Sequence, residues 1–204
     1  MDKKLLDRFS KGEFIIIWDE FREHEGDFVC LGEYITPEKI NLMLTYGKGM
    51  ITVACSNNVF DQFGLKLMVG ANTSPHNTQM GVGFDVKDKA TTGVSAPDRC
   101  EAIKLLCDEE ATSDLMTFPG HTFPLLALDP EIRFGHTEAG VVLAEKVGKK
   151  PVVALCEILD EAGYKADRAY LEKLSAKYDI PMVDLEVLRQ SLGYLLFVIG
   201  ICLR

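Results

Sequence analysis

The chain has 204 residues, 47% of them hydrophobic and 26% charged, with a formal net charge of −9 at pH 7. That length and apolar content support one sizeable core and suit a single large domain better than two small ones. The acidic balance argues against a nucleic-acid backbone as partner, which would need clustered Lys and Arg, while leaving room for a local basic group to hold a small anion.

Leu5, Leu6 and Phe9 recur at helical spacing and predict a short first helix ending near Gly12. β-rich runs at 14–18 and 28–31 predict two strands, with the hexapeptide Arg22-Glu23-His24-Glu25-Gly26-Asp27 in the loop between them. Thr36-Pro37-Glu38 reads as the N-cap, first-turn proline and first-turn acid of a helix that Gly47 closes, before a strand over 50–55. Over 70–81 the composition shifts to Asn, Thr, Ser, Pro and Gly, as expected of a mobile loop that covers a site. Val82, Phe84 and Val86 alternate as in a strand, and Ser95-Ala96-Pro97-Asp98 caps a helix carrying Ile103 and Leu106.

The stretch 123–128 predicts a strand, Thr137 starts a helix that Gly148 stops, and 152–159 is a continuous apolar strand. An amphipathic helix over 167–178, a short strand at Met182 and Val183, and a helix begun by Asp184 complete the pattern. Alternating strands beside wholly apolar ones imply an α+β fold, a mixed sheet with helices packed on both faces, in one domain over 1–190. No Gly-x-Gly-x-x-Gly or Walker-type phosphate loop is present, nor the Gly-x-Ser-x-Gly of a serine hydrolase.

Residues 191–204 read as an apolar tail, docked on the body or at an interface. A helix over 192–203 would span only about 18 Å, against roughly 30 Å of bilayer hydrocarbon, so no membrane partner is expected. The start lacks the apolar stretch of a signal peptide, and the six cysteines contain no Cys-x-x-Cys pair. Reduced thiols in a cytoplasmic protein are the expectation.

Chemistry concentrates in two segments. Glu23, Glu25 and Asp27 alternate along an approach expected to be extended, which would bring three carboxylates to one face, where they could meet a cation or remain a solvated acidic loop. In Arg133-Phe134-Gly135-His136-Thr137-Glu138, an arginine expected in an exposed loop precedes a helix start whose free N–H groups favour a phosphate. His121, read as sitting on a stiff Pro-Gly turn, is either a proton shuttle or a loop filler. Glu157 interrupts an apolar strand and needs a partner or a task.

These motifs resemble the 3,4-dihydroxy-2-butanone 4-phosphate synthases of riboflavin biosynthesis. The resemblance rests on Arg22-Glu23-x-Glu25-Gly26-Asp27, Thr91-Thr92-Gly93-Val94-Ser95-Ala96-x-Asp98-Arg99, Pro119-Gly120-His121-x-Phe123-Pro124-Leu125, Gly135-His136-Thr137-Glu138-Ala139 and Leu155-Cys156-Glu157, in the family's order. It implies conversion of ribulose 5-phosphate into dihydroxybutanone phosphate and formate by a homodimer using two divalent cations, Mg2+ or Mn2+. Glu23 and His136 would ligate metal, and His121 and Glu157 would move protons. Arg133 and Thr137 would hold phosphate, while Arg22 and Asp27 would contact the sugar. Glu25, Thr92, Phe134, Gly135 and Glu138 would complete the substrate site. The chain departs from the family's pattern at Trp18-Asp19-Glu20-Phe21, where further acids are usual, and at Phe134, which replaces a glycine and is expected to stiffen the backbone beside the phosphate. On the residues alone, another metal-dependent sugar-phosphate lyase or isomerase and a non-catalytic phosphometabolite-binding relative stay open.

Overall fold

The computed structural model describes residues 2–194. Its centre is the antiparallel pair β2 (Glu25–Leu31) and β6 (Val152–Ile158), flanked by β1 (Ile15–Asp19) against β2 and β3 (Lys48–Cys55) against β6. Two parallel pairings extend it outward, β3 with β5 (Met116–Leu126) and β1 with β7 (Met182–Asp184). The strand β4 (Phe84–Val86) closes one edge, giving the order β4-β5-β3-β6-β2-β1-β7.

The central strands are buried on both faces along most of their length, so their sequences are largely apolar, with the carboxylates Glu25, Asp27 and Glu157 near one end of the β2–β6 pair. Ile15, Ile17, Val29, Leu31, Val153 and Leu155 pack in one cluster with Leu5 and Phe9 of α1 (Lys3–Ser10), Ala139 and Leu143 of α5 (His136–Lys146) and Leu188 of α7 (Leu185–Ser191). Ile16, Trp18, Phe28, Cys30, Ala154 and Cys156 turn to the opposite cluster. There they meet α2 (Pro37–Leu42), α3 (Asn57–Phe63), α4 (Ala96–Leu105) and α6 (Arg168–Tyr178) through Ile40, Phe60, Ile103 and Leu171. This is the expected mixed sheet with helices on both faces.

Local chemistry sets the boundaries. The Thr36 side chain caps α2 ahead of Pro37, Ser95 accepts the Asp98 N–H at the start of α4, and Asp167 accepts the Tyr170 N–H at the start of α6. Gly148, at φ +69, follows the end of α5 as a left-handed stop. Two expectations need correction, and one element was not anticipated. The charged hexapeptide is only half loop, because β2 already begins at Glu25. The Phe118-Pro119-Gly120-His121 run lies inside β5 rather than on a turn; Pro and Gly are tolerated there because this stretch lies beyond the β3 pairing and is partnered by the short edge strand β4. The helix α3 had no predicted counterpart.

Cys30, Cys55, Cys100, Cys107 and Cys156 are all free thiols, while Cys202 and the tail from residue 195 onward lie outside the described residues. Among the described residues no helix is long and apolar enough to cross a membrane.

Candidate active site

The first wall of the site is a turn folded by one side chain. Asp19, buried at the end of β1, accepts the backbone N–H groups of Phe21, Arg22 and Glu23 at 3.1, 3.1 and 3.3 Å. His24 takes a positive φ of 49°, so Glu23 meets Glu25 through a bend rather than along the extended path expected from the sequence. The Lys165 ammonium donates to the Glu23 carbonyl at 2.7 Å and holds the same turn.

On β2, Asp27 stands directly opposite Glu157 of β6, so two carboxylates occupy one face across the strand pair. That face is covered by α5, which begins with His136. Its Nδ1 lies 3.5 Å from Glu23 Oε2, and Glu23, Glu25 and His136 can each offer a ligand atom within 4.8 Å of the others. Glu157 is half-buried rather than enclosed, and its Oε2 accepts the Met50 N–H at 2.8 Å.

The electrostatics follow from crowding. Burial opposes a charged imidazole at His136, yet Asp27, Glu23 and Glu25 outweigh it and push its pKa up to about 10. Hydrogen bonding to His136 draws Glu23 down to about 2. Burial, reinforced by the neighbouring Glu23 and Asp27, lifts Glu25 to about 8. Burial also lifts Asp27 to about 7, with Glu157 and Glu23 adding to it and His136 opposing. Two buried atoms at this point have no hydrogen-bond partner, His136 Nε2 and Asp27 Oδ1. Clustered carboxylate oxygens, an imidazole and two unsatisfied buried polar atoms fit a hard divalent cation, whose binding would displace the His136 proton.

Arg133 differs from the exposed loop arginine expected. It is buried, ion-paired to the fully buried Glu138, and donates to the His76 carbonyl at 2.9 Å and to the Thr78 hydroxyl at 3.4 Å. Glu138 also accepts the N–H groups of Gly135 at 2.9 Å and Leu128 at 3.1 Å. The guanidinium therefore fastens the 70–81 loop to the start of α5. This brings His76 Nδ1 to 3.9 Å from Glu23 Oε1, a neighbour that loop composition alone does not reveal. Arg22 is exposed, but its guanidinium reaches the Phe134 carbonyl at 3.0 Å and ties the acidic turn to the same helix start. Thr137 is buried in the first turn of α5.

His121 is held elsewhere, by Asp85 of β4 rather than by the acidic cluster. Thr92 is exposed in the segment that Asp98 organises through Thr91 and Gly93. The departures from the family's motif are accommodated. Trp18 is a core residue whose indole N–H meets Glu20 at 2.6 Å, and Phe21 is exposed. Phe134 packs into the core beside Tyr194, ring centroids 5.5 Å apart, without a positive φ, so the backbone there never required glycine.

The sequence matches the 3,4-dihydroxy-2-butanone 4-phosphate synthase family over residues 3–191. It is 41% identical over 188 residues to the riboflavin biosynthesis protein RibBA of Staphylococcus saprophyticus, covering 91% of this chain and 48% of that protein. It is also 41% identical over 180 residues to the 3,4-dihydroxy-2-butanone 4-phosphate synthase of Helicobacter pylori, covering 86% and 52%. The chain thus spans about half the length of these curated relatives. A crystal structure of a 3,4-dihydroxy-2-butanone 4-phosphate synthase in complex with two magnesium ions superposes with a TM-score of 0.88 at 28% identity, covering 94% of this chain and 98% of that one. With a family match over nearly its whole described length and the same fold in a solved relative, this chain belongs to the 3,4-dihydroxy-2-butanone 4-phosphate synthase family.

Proposed function

We propose that the protein converts D-ribulose 5-phosphate into 3,4-dihydroxy-2-butanone 4-phosphate and formate with the help of two divalent cations, Mg2+ or Mn2+, and so supplies riboflavin biosynthesis. The observation that carries this reading is the cluster of Glu23, Glu25 and His136, with His136 Nε2 and Asp27 Oδ1 buried and unpartnered beside it. Glu23 and His136 would hold the metal, which when bound stabilises negative charge on the sugar oxygens during enolisation.

The chain's own groups do the rest. The first turn of α5 offers amides and the Thr137 hydroxyl to the phosphate, with the Arg133 charge behind them. Phe134 and Gly135 shape that cradle, and Glu138 fixes it by holding Arg133 and the Gly135 N–H. Arg22 and Asp27 orient the sugar, with Thr92 and Glu25 in support. Glu157 and His121 carry protons between carbon and oxygen. Holding a small substrate by its phosphate keeps it in place through several bond changes.

The test is to incubate the purified protein with ribulose 5-phosphate and Mg2+ and measure formate. Release that stops on exhaustive chelation and returns with Mg2+ or Mn2+ is the expected result, and chelator-insensitive release would refute the metal's part. Replacing Glu157 by Gln should lower kcat roughly 10²–10⁴-fold with a modest change in KM.

A further inference from the structure

His121 is held at two points by one carboxylate. Asp85 Oδ1 accepts the His121 backbone N–H at 2.9 Å, and Asp85 Oδ2 lies 2.9 Å from the ring Nδ1. The carboxylate is largely covered, at 13% side-chain exposure, while the imidazole is 49% exposed. The register between β4 and β5 shifts between Phe84 and Asp85, an irregularity of the kind that re-aims a side chain.

The surroundings are shaped for this contact. A Cβ at Gly93, which sits at φ +84, would fall 2.1 Å from Asp85 Oδ2. A Cβ at Gly120, next to His121, would fall 2.1 Å from the Phe84 carbonyl carbon. Asp98 in turn accepts the Thr91 N–H at 3.0 Å, the Thr91 hydroxyl at 2.7 Å and the Gly93 N–H at 3.1 Å. A continuous chain of contacts therefore runs from the start of α4 through the 91–93 turn to Asp85 and on to the imidazole. A surface pair formed only for stability requires no glycine on either side of it.

We propose that Asp85 is a positioning residue that fixes the orientation and tautomer of His121. A carboxylate only accepts hydrogen bonds, so the ring proton sits on Nδ1 and Nε2 is left as a proton acceptor for the substrate. The Thr91-Thr92-Gly93 segment then has a role its hydroxyls do not suggest, which is to seat Asp85. The proposal rests on His121 acting in the reaction proposed above, and the experiment separates the two.

The Asp85→Asn protein keeps the shape and an oxygen for the His121 N–H, but offers an amide donor to Nδ1. Long-range proton–nitrogen NMR on the whole protein, with the His121 signals identified by their loss in His121→Gln, reads the tautomer directly. The expected result is an Nδ1–H imidazole in the wild type and an Nε2–H imidazole in Asp85→Asn. With ribulose 5-phosphate and Mg2+, kcat for formate release should fall about 10²-fold or more, KM should change less than about threefold, and Asp85→Glu should recover part of the loss. A wild-type ring protonated on Nε2, or an unchanged tautomer in Asp85→Asn, overturns the proposal. So does full turnover in Asp85→Asn. If the wild type releases no formate, the proposed reaction fails, while the spectra still decide whether Asp85 sets the state of His121.

Discussion

Glu23 lies between two imidazoles, with His136 Nδ1 at 3.5 Å from one carboxylate oxygen and His76 Nδ1 at 3.9 Å from the other. Its charge has a structural neighbour and, on the reading above, a metal to hold. Glu23→Gln keeps the volume and removes the anionic oxygen that a hard cation prefers. Calorimetric titration with Mn2+ should show affinity reduced by roughly 10–100-fold or more, the range in which even indirect supports of a metal site act. Unchanged affinity would place the cation elsewhere. Arg133 carries a different liability, because Glu138 is fully buried behind it. Arg133→Ala would leave that carboxylate without its cation, and urea denaturation should report a loss of about 3–5 kcal/mol. Arg133→Lys should also destabilise, since an ammonium cannot reach Glu138, the His76 carbonyl and Thr78 together. A melting temperature unchanged in Arg133→Lys would return this residue to the exposed role expected from sequence.

At the scale of elements, the start of α4 and the turn before it depend on Asp98. Its hydrogen bonds from Thr91, first the hydroxyl and then the backbone N–H, hold its pKa well below the ordinary carboxylate value of 3.8. The native state therefore binds fewer protons than the unfolded chain, so the contribution is complete above about pH 4 and is lost as pH falls through the lowered native value. Asp98→Asn should cost about 2 kcal/mol at pH 7. Urea denaturation from pH 7 down to pH 2 should show the gap between the two proteins narrowing on the acid side, and a constant gap would contradict this account. The helix α5 has its own weak point at Gly140, where a Cβ would lie 2.7 Å from Val153 Cγ2 of β6. Gly140→Val should lift the helix from the sheet at a cost of about 1–3 kcal/mol and weaken Mn2+ binding, because α5 carries His136. Wild-type affinity in that variant would show that His136 tolerates the shift. Caps and apolar runs made most elements readable: Thr36-Pro37, Ser95, Asp167 and Asp184 each stand where a helix begins. The first half of β5 was not readable, since Pro119 and Gly120 are locally turn residues and only the tertiary pairing with β4 makes them a strand.

For the whole molecule, the mixed sheet and its two helical layers follow from runs such as 152–159 and their alternation with helical patterns. The acidic turn and the start of α5 stood out in the sequence as candidate sites of chemistry, and the fold brings the two together. Three-dimensional ties did not stand out: the ring of donors around Asp19, the clamp of Arg133 on the 70–81 loop, and the Asp85 hold on His121 all join residues with no shared local pattern. The homodimer belongs with the proposed function, and light scattering should give twice the 22.7 kDa of the chain. A monomer that still releases formate would show that one copy is sufficient.

The pairing of Asp27 with Glu157 has a consequence for how the protein matures. These two carboxylates come from strands separated by more than half the chain, and a slip of one residue between β2 and β6 would turn one of them to the opposite face. The helix bearing His136 can dock only on that completed pair. A nascent or partly unfolded chain therefore lacks the complete site, because Asp27, Glu157 and His136 come together only where that long-range pairing and the helix on it are in place. On the proposed function, metal capture would then report on completed assembly, arriving with the sheet or not at all.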